Sequence, residues 1–172
     1  PELFNRLAKE GRDNGCEEIG IFSGSEPLTC SHLESYVSYC KSLGYKYIYI
    51  STNGSIGGEK RFEGLIDSGL SSIKFSVNGG TREAYKKVHG VDHYDRVIKN
   101  IRHVCDYRKA NNIDLFVAIS FVEVEGDNGN KGTYENLKKI FTGVVDEICE
   151  YKANNQSGQM NKLPLPPFKE CD

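Results

Sequence analysis

Five short apolar runs, centred near residues 21, 48, 74, 118 and 146, recur along the 172-residue chain, and helix-periodic segments separate them. The runs read "EEIGIF", "YKYIYIS", "SIKFSV", "DLFVAISFV" and "VVDEIC". They are too short for ordinary helices and are rich in Ile, Val, Phe and Tyr, which suit a pleated, buried strand. The intervening segments carry helix signals. Leu3, Phe4, Leu7 and Ala8 form an apolar stripe that stops at Asn14-Gly15, and Thr29 to Leu43 closes on Gly44. Residues 58–68 end at Ser68-Gly69, Thr81 to Val88 starts on an N-cap threonine, and His93 to Ala110 and Tyr134 to Phe141 complete the set. Strands that alternate with helices pair in parallel, because the helix supplies the crossover that a parallel neighbour requires. The sequence therefore predicts an α/β fold, a parallel sheet with crossover helices. Periodicity leaves an open doubly wound sheet and a complete or partial barrel as alternatives; both place ligand chemistry at the C-terminal ends of the strands.

Composition narrows the function classes. With 38% hydrophobic residues and a formal net charge of −2, the chain suits one globular domain and has no basic footprint for nucleic acid. No apolar run approaches the roughly 20 residues of a membrane span, and no signal segment opens the sequence. The expectation is a cytoplasmic protein with neither nucleic acid nor membrane as partner. Six cysteines at 16, 30, 40, 105, 149 and 171 form no CxxC pair, so reduced thiols and no metal ligands are expected. Cys40 and Cys149 read as small buried hydrophobes. Residues 1–158 read as the domain, with "GDNGNKG" at 126–132 as a Gly/Asn loop and 159–172 as a Pro-rich linker.

The strand ends share a chemistry. They read "FSGSEP", "ISTNG", "FSVNGG", "ISFVEVEGDN" and "ICEYKANNQSG". Glycine lets backbone approach a ligand, Ser and Asn donate and accept, and Glu26 offers a negative acceptor suited to an ammonium group. Any single loop of this kind is a turn; three in succession point to a binding rim. Pro27 fixes the backbone beside Glu26. No nucleophile and base are identifiable, the four histidines fall on helices or their ends, and "SIGGEK" lacks the Lys-Ser/Thr ending of a phosphate loop.

In that order and spacing, "SGSEP", "STNG" and "FSVNGGTREAYKKVHG" resemble motifs of the radical S-adenosylmethionine (radical SAM) enzymes, over roughly Pro1 to Gly158. The first is similar to the family's Gly-Gly-Glu-Pro loop, which receives the methionine amino group of the cofactor. The resemblance implies that Ser23, Gly24, Ser25 and Glu26 line that site, with Ser25 where the family usually has glycine. It places Asn53, Ser76 and Asn78 toward the ribose or carboxylate, with Asn78 replacing a more usual Asp, and Ser120 and Asn154 or Asn155 toward the adenosyl group or substrate.

The family holds a 4Fe-4S cluster on a CxxxCxxC loop after its first strand, and no such motif occurs in this sequence. The resemblance thus implies a partial barrel lacking its first strand, a fragment inactive alone, with S-adenosylmethionine and the cluster as cofactors of the intact oxidoreductase. In that enzyme a 5′-deoxyadenosyl radical would abstract hydrogen from a peptide, sugar or small acid. "LPLPPFKECD" resembles the junction to an auxiliary-cluster extension of the SPASM or twitch type, found in enzymes that modify peptides or proteins, with Cys171 as a first ligand. A free sheet edge would favour association. The competing reading is a non-catalytic α/β module whose strand-end loops bind a small ligand or a partner.

Overall fold

The computed structural model describes residues 1–126 and 129–153. Helix α1 (Glu2–Asp13) precedes strand β1 (Glu18–Gly20), and a 3-10 turn (Pro27–Thr29) leads into α2 (Leu33–Ser42). There follow β2 (Tyr47–Thr52), α3 (Glu59–Asp67), β3 (Ser72–Ser76), α4 (Arg82–His89), α5 (Tyr94–Ala110), β4 (Phe116–Glu123), α6 (Tyr134–Phe141) and β5 (Glu147–Lys152). The strands form one sheet in the order β1-β2-β3-β4-β5, every pair parallel. This is the α/β architecture expected from the alternation of runs. Among the described residues β1 pairs only with β2 and β5 only with β4, so the sheet is open at both edges.

Two boundaries differ from the periodicity. The helix expected from Thr29 begins at Leu33, because Pro27 starts a separate 3-10 turn capped by Glu26 and the chain bends at Cys30 before α2. The last strand begins at Glu147 rather than Val144. Val144 and Val145 donate their N–H groups to Phe141 O in the turn after α6, and Asp146 pins the register instead. Its N–H donates to Val117 O at 2.9 Å, and its carboxylate accepts from Val117 N–H at 2.7 Å and from Arg108. Burial would raise this carboxyl, but Arg108 and the Val117 N–H outweigh it and hold the group below its ordinary value.

The core occupies the helix-covered face of the sheet. Ile48, Ile50, Ile73, Phe75, Val117, Ile119 and Phe121 alternate along β2, β3 and β4 and are buried against Val37, Phe62, Leu65, Val97, Ile101 and Leu137 of the helices. Phe62 and Phe75 rings lie 5.8 Å apart at a tilt, within the range for favourable aromatic contact. Each strand has a second face, reached by the alternate residues, and that face looks away from the helices.

Candidate functional site

The C-terminal end of β2 is tied to the loop after β1 by one carboxylate. Glu26 Oε1 accepts from Leu28 N–H at 3.1 Å and from the Thr52 hydroxyl, and Oε2 accepts from Asn53 N–H at 2.7 Å. Pro27 at the first position of the 3-10 turn presets its φ, so the loop doubles back beneath Glu26. The acid is thus held by three hydrogen bonds, and the proline alone is not what fixes it. A carboxylate has about four acceptor positions, so one on Oε2 stays open to a ligand.

The next turn is equally constrained. Asn53 Oδ1 accepts from Ser55 N–H at 2.8 Å and the Ser55 hydroxyl at 2.7 Å, an Asx turn, while its Nδ2 has no partner among the described residues. Gly54 sits at φ +68, where a Cβ would come within 2.7 Å of the Phe75 ring, and its carbonyl accepts from the buried Asn100 Nδ2 at 2.8 Å. From β3 and β4, Ser76 joins the site. Its hydroxyl lies 3.4 Å from Ser51 Oγ and accepts from Ser120 Oγ at 3.3 Å, giving a row of three hydroxyls across the sheet.

These groups border one cavity of about 410 Å³, lined by Phe22, Ser23, Gly24, Ser25, Glu26, Ser51, Thr52, Asn53 and Ser76. Six residues singled out from the sequence therefore meet there. Gly24 faces open space, and Ser25 is exposed in the same loop. Ser120 adjoins the cavity through Ser76.

Asn78 does not line the cavity. It adopts φ +49, and its Oδ1 accepts from Val122 N–H at 2.9 Å, bonding the end of β3 to β4. Asn130 completes that brace: its Nδ2 donates to the Asn78 and Val122 carbonyls at 2.8 Å, and its Oδ1 accepts from Val124 N–H. Asn154, Asn155, Cys171 and the 159–172 segment lie outside the described residues. Phe22, Ser51 and Thr52 were not singled out from sequence. Strand alternation could have found Ser51, which precedes Asn53 by two as Ser76 precedes Asn78.

A larger hollow of about 750 Å³ opens at the opposite, N-terminal end of the strands, beside Arg108, Leu115, Phe116 and Asp146. Within it Arg108 is committed to the Leu115 carbonyl and to Asp146, the brace that sets the β5 register. The C-terminal rim is where ligands bind in folds of this class.

The comparisons with known proteins decide the family. The description "Radical SAM superfamily" attaches to a family profile matching residues 1–125. An uncharacterised protein of Methanocaldococcus jannaschii is 30% identical over 148 residues, 86% of this chain and 48% of that protein. The chain belongs to the radical SAM superfamily. A probable GTP 3′,8-cyclase of Saccharolobus islandicus is 33% identical over 100 residues, 58% of this chain and 32% of the cyclase. Among solved structures, Streptococcus suis SuiB bound to S-adenosylmethionine superposes with a TM-score of 0.70 at 18% identity, covering 94% of this chain and 37% of SuiB. That likeness shows the shared fold. The chain spans less than half the length of each of these three proteins.

The two cofactors implied by the superfamily differ in how well the described residues suit them. The ammonium, carboxylate and ribose hydroxyls of S-adenosylmethionine fit a cavity that offers a carboxylate, an amide and hydroxyls. A 4Fe-4S cluster does not fit the described residues, among which no three Cys, His, Asp or Glu side chains converge. Burial pushes the Cys40 and Cys105 thiols up to about 11, which keeps them protonated. Among the described residues no helix is long and apolar enough to cross a membrane.

Proposed function

We propose that this chain forms the S-adenosylmethionine-binding half of a radical SAM enzyme, with the cofactor seated on the rim between β1, β2 and β3. Beside a reduced cluster, that cofactor would supply a carbon-centred radical able to abstract hydrogen from a substrate. Among the described residues no three cysteines converge to hold that cluster.

The observation that supports this reading most is the open acceptor position on Glu26 at the mouth of a cavity whose other walls carry hydroxyls. Glu26 binds the methionine ammonium by a charge-assisted hydrogen bond while its other positions hold the rim rigid. Ser51, Ser76 and the Asn53 amide orient the remaining polar groups. Because the three strand ends are fixed by backbone and side-chain bonds before a ligand arrives, little ordering cost attends binding. The narrower reading, peptide or protein modification, rests on the resemblance of "LPLPPFKECD" alone, which lies outside the described residues.

The test is calorimetric titration of S-adenosylmethionine into the full chain and its Glu26→Gln variant. The reading predicts binding that weakens about ten-fold on losing the charge, roughly 1.4 kcal/mol. Equal affinity in both proteins would remove Glu26 from the ammonium site, and no binding to either would leave the strand-end loops to the competing role of a non-catalytic module for another small ligand or a partner.

A further inference from the structure

The sheet face opposite the helices continues below the cofactor cavity, and its residues follow from strand alternation. Ser76 is on this face by its bonds to Ser51 and Ser120, so Lys74, two residues before it on β3, is on it too. Lys74 pairs in register with Ser51 on β2 and Ala118 on β4, the middle of the five-stranded sheet. Toward β1 the face is aromatic: Tyr49 packs edge-on against Phe22 at 5.6 Å and beside Tyr47 at 5.6 Å. Gly20 makes room for this, since a Cβ there would stand 3.0 Å from both the Phe22 and Tyr49 rings. Toward β5 the face carries Cys149, in register with Ser120, and the exposed Tyr151.

Lys74 differs from the other described lysines. Only it and Lys138 are half-buried rather than exposed, and Lys138 is paired with Glu135 at 2.9 Å. Lys74 has no ion pair and no hydrogen bond among the described residues. The acids on its face, Glu18 on β1 and Glu147 on β5, each stand two strands away, about 10 Å laterally at ordinary strand spacing, with the buried Ala118 between Lys74 and Glu147. Partial burial of an unpaired ammonium costs solvation that a paired one recovers. The fold therefore keeps an unpaired cation in the middle of this face, with hydroxyls and tyrosines beside it and its nearest acids two strands away.

We propose that Lys74 anchors an anionic group, a carboxylate or phosphate, of the substrate, with the Ser51 and Ser76 hydroxyls as further donors and Tyr49 as a flat wall. This rests on the cofactor assignment above, because Ser51 and Ser76 border both sites and a substrate held on Lys74 lies within reach of the rim. The step is binding alone; no bond is made or broken at Lys74.

The experiment is NMR titration of the full chain with pyrophosphate and, separately, citrate, following the Lys74 side-chain resonance and the Ala118 and Ser51 amides. At least one anion is expected to shift these signals in saturable fashion. Pyrophosphate alone would identify a phosphate substrate and citrate alone a carboxylate. Lys74→Met, with Lys74→Gln as a second neutral variant, should weaken the response at Ala118 at least ten-fold, and Lys74→Arg should keep it within about three-fold. S-adenosylmethionine titrated into Lys74→Met should still shift the Ser25 and Asn53 amides as in the unmodified chain. No response to either anion, or an equal response in the neutral variants, overturns the proposal. Anion binding that survives while S-adenosylmethionine fails to bind would instead remove the cofactor assignment and leave the anion site in place.

Discussion

The two faces of the sheet are built from the same strands and have opposite chemistry. On the helix side, Ile73, Phe75, Val117, Ile119 and Phe121 are fully buried and carry no polar atom. On the other side, Lys74, Ser76, Ala118, Ser120 and Cys149 occupy the alternate positions, with hydroxyls bonded to one another and a cation left unpaired. A one-residue shift of β3 would exchange the two sets, so the register that buries Phe75 is also what presents Lys74 and Ser76. Stability and ligand chemistry are separable here because period-2 geometry assigns them to different side chains.

Substitutions can break that separation. The largest effect is expected for Phe75→Ala, which opens a cavity against Phe62 and removes the ring that Gly54 packs on; a loss of about 3–5 kcal/mol is expected in urea denaturation. Glu26→Gln falls between the faces. It places an amide where three donors now converge, so one of Leu28 N–H, Thr52 or Asn53 N–H loses its acceptor, and a stability loss of about 1–2 kcal/mol should accompany the weaker cofactor binding. Ser76→Ala tests the open face by itself. Its stability should stay within about 0.5 kcal/mol while S-adenosylmethionine affinity falls several-fold, read by calorimetry. A stability loss as large as that of Phe75→Ala would erase the distinction between faces.

The register brace supplies a pH test of smaller size. The folded Asp146 carboxyl titrates below its ordinary value of 3.8, so its contribution is complete above that pH and disappears as pH falls through the lower folded value. Denaturant midpoints of the unmodified chain should therefore drop more steeply below about pH 3.8 than those of Asp146→Asn, and parallel curves would remove Asp146 from the account.

Much of the fold was legible because β-strand and helix periods differ and the apolar runs were short and well separated. Parallel pairing follows from that alternation, whereas the sequential order β1-β2-β3-β4-β5, which separates a barrel-like sheet from a doubly wound one, does not; Thr81 is the N-cap of α4 as its position implied, accepting from Ala84 N–H at 3.2 Å. The Val144–Val145 pair misled because β-branched residues signal a strand whether they pair or turn; only Asp146, bonding across to β4, shows where the ladder begins. The lining of the C-terminal cavity was legible where a loop motif carried it, from Ser23 to Glu26 and at Asn53. Asn78 bonds the neighbouring strand instead of lining the cavity, and an Asn after a strand looks the same in sequence whichever of the two it does. Lys74 and Tyr49 belong to no motif. Their placement depends on which face of the sheet the helices leave uncovered, and that is a property of the packed chain.

The central claim is that S-adenosylmethionine occupies the C-terminal rim around Glu26, and amide chemical-shift mapping of the full chain titrated with it tests this most directly. The account predicts saturable shifts concentrated at Gly24, Ser25, Glu26, Asn53 and Ser76, with none at Cys105, Leu115 or Asp146. Shifts confined to those last three residues, at the larger hollow on the N-terminal side, would contradict it.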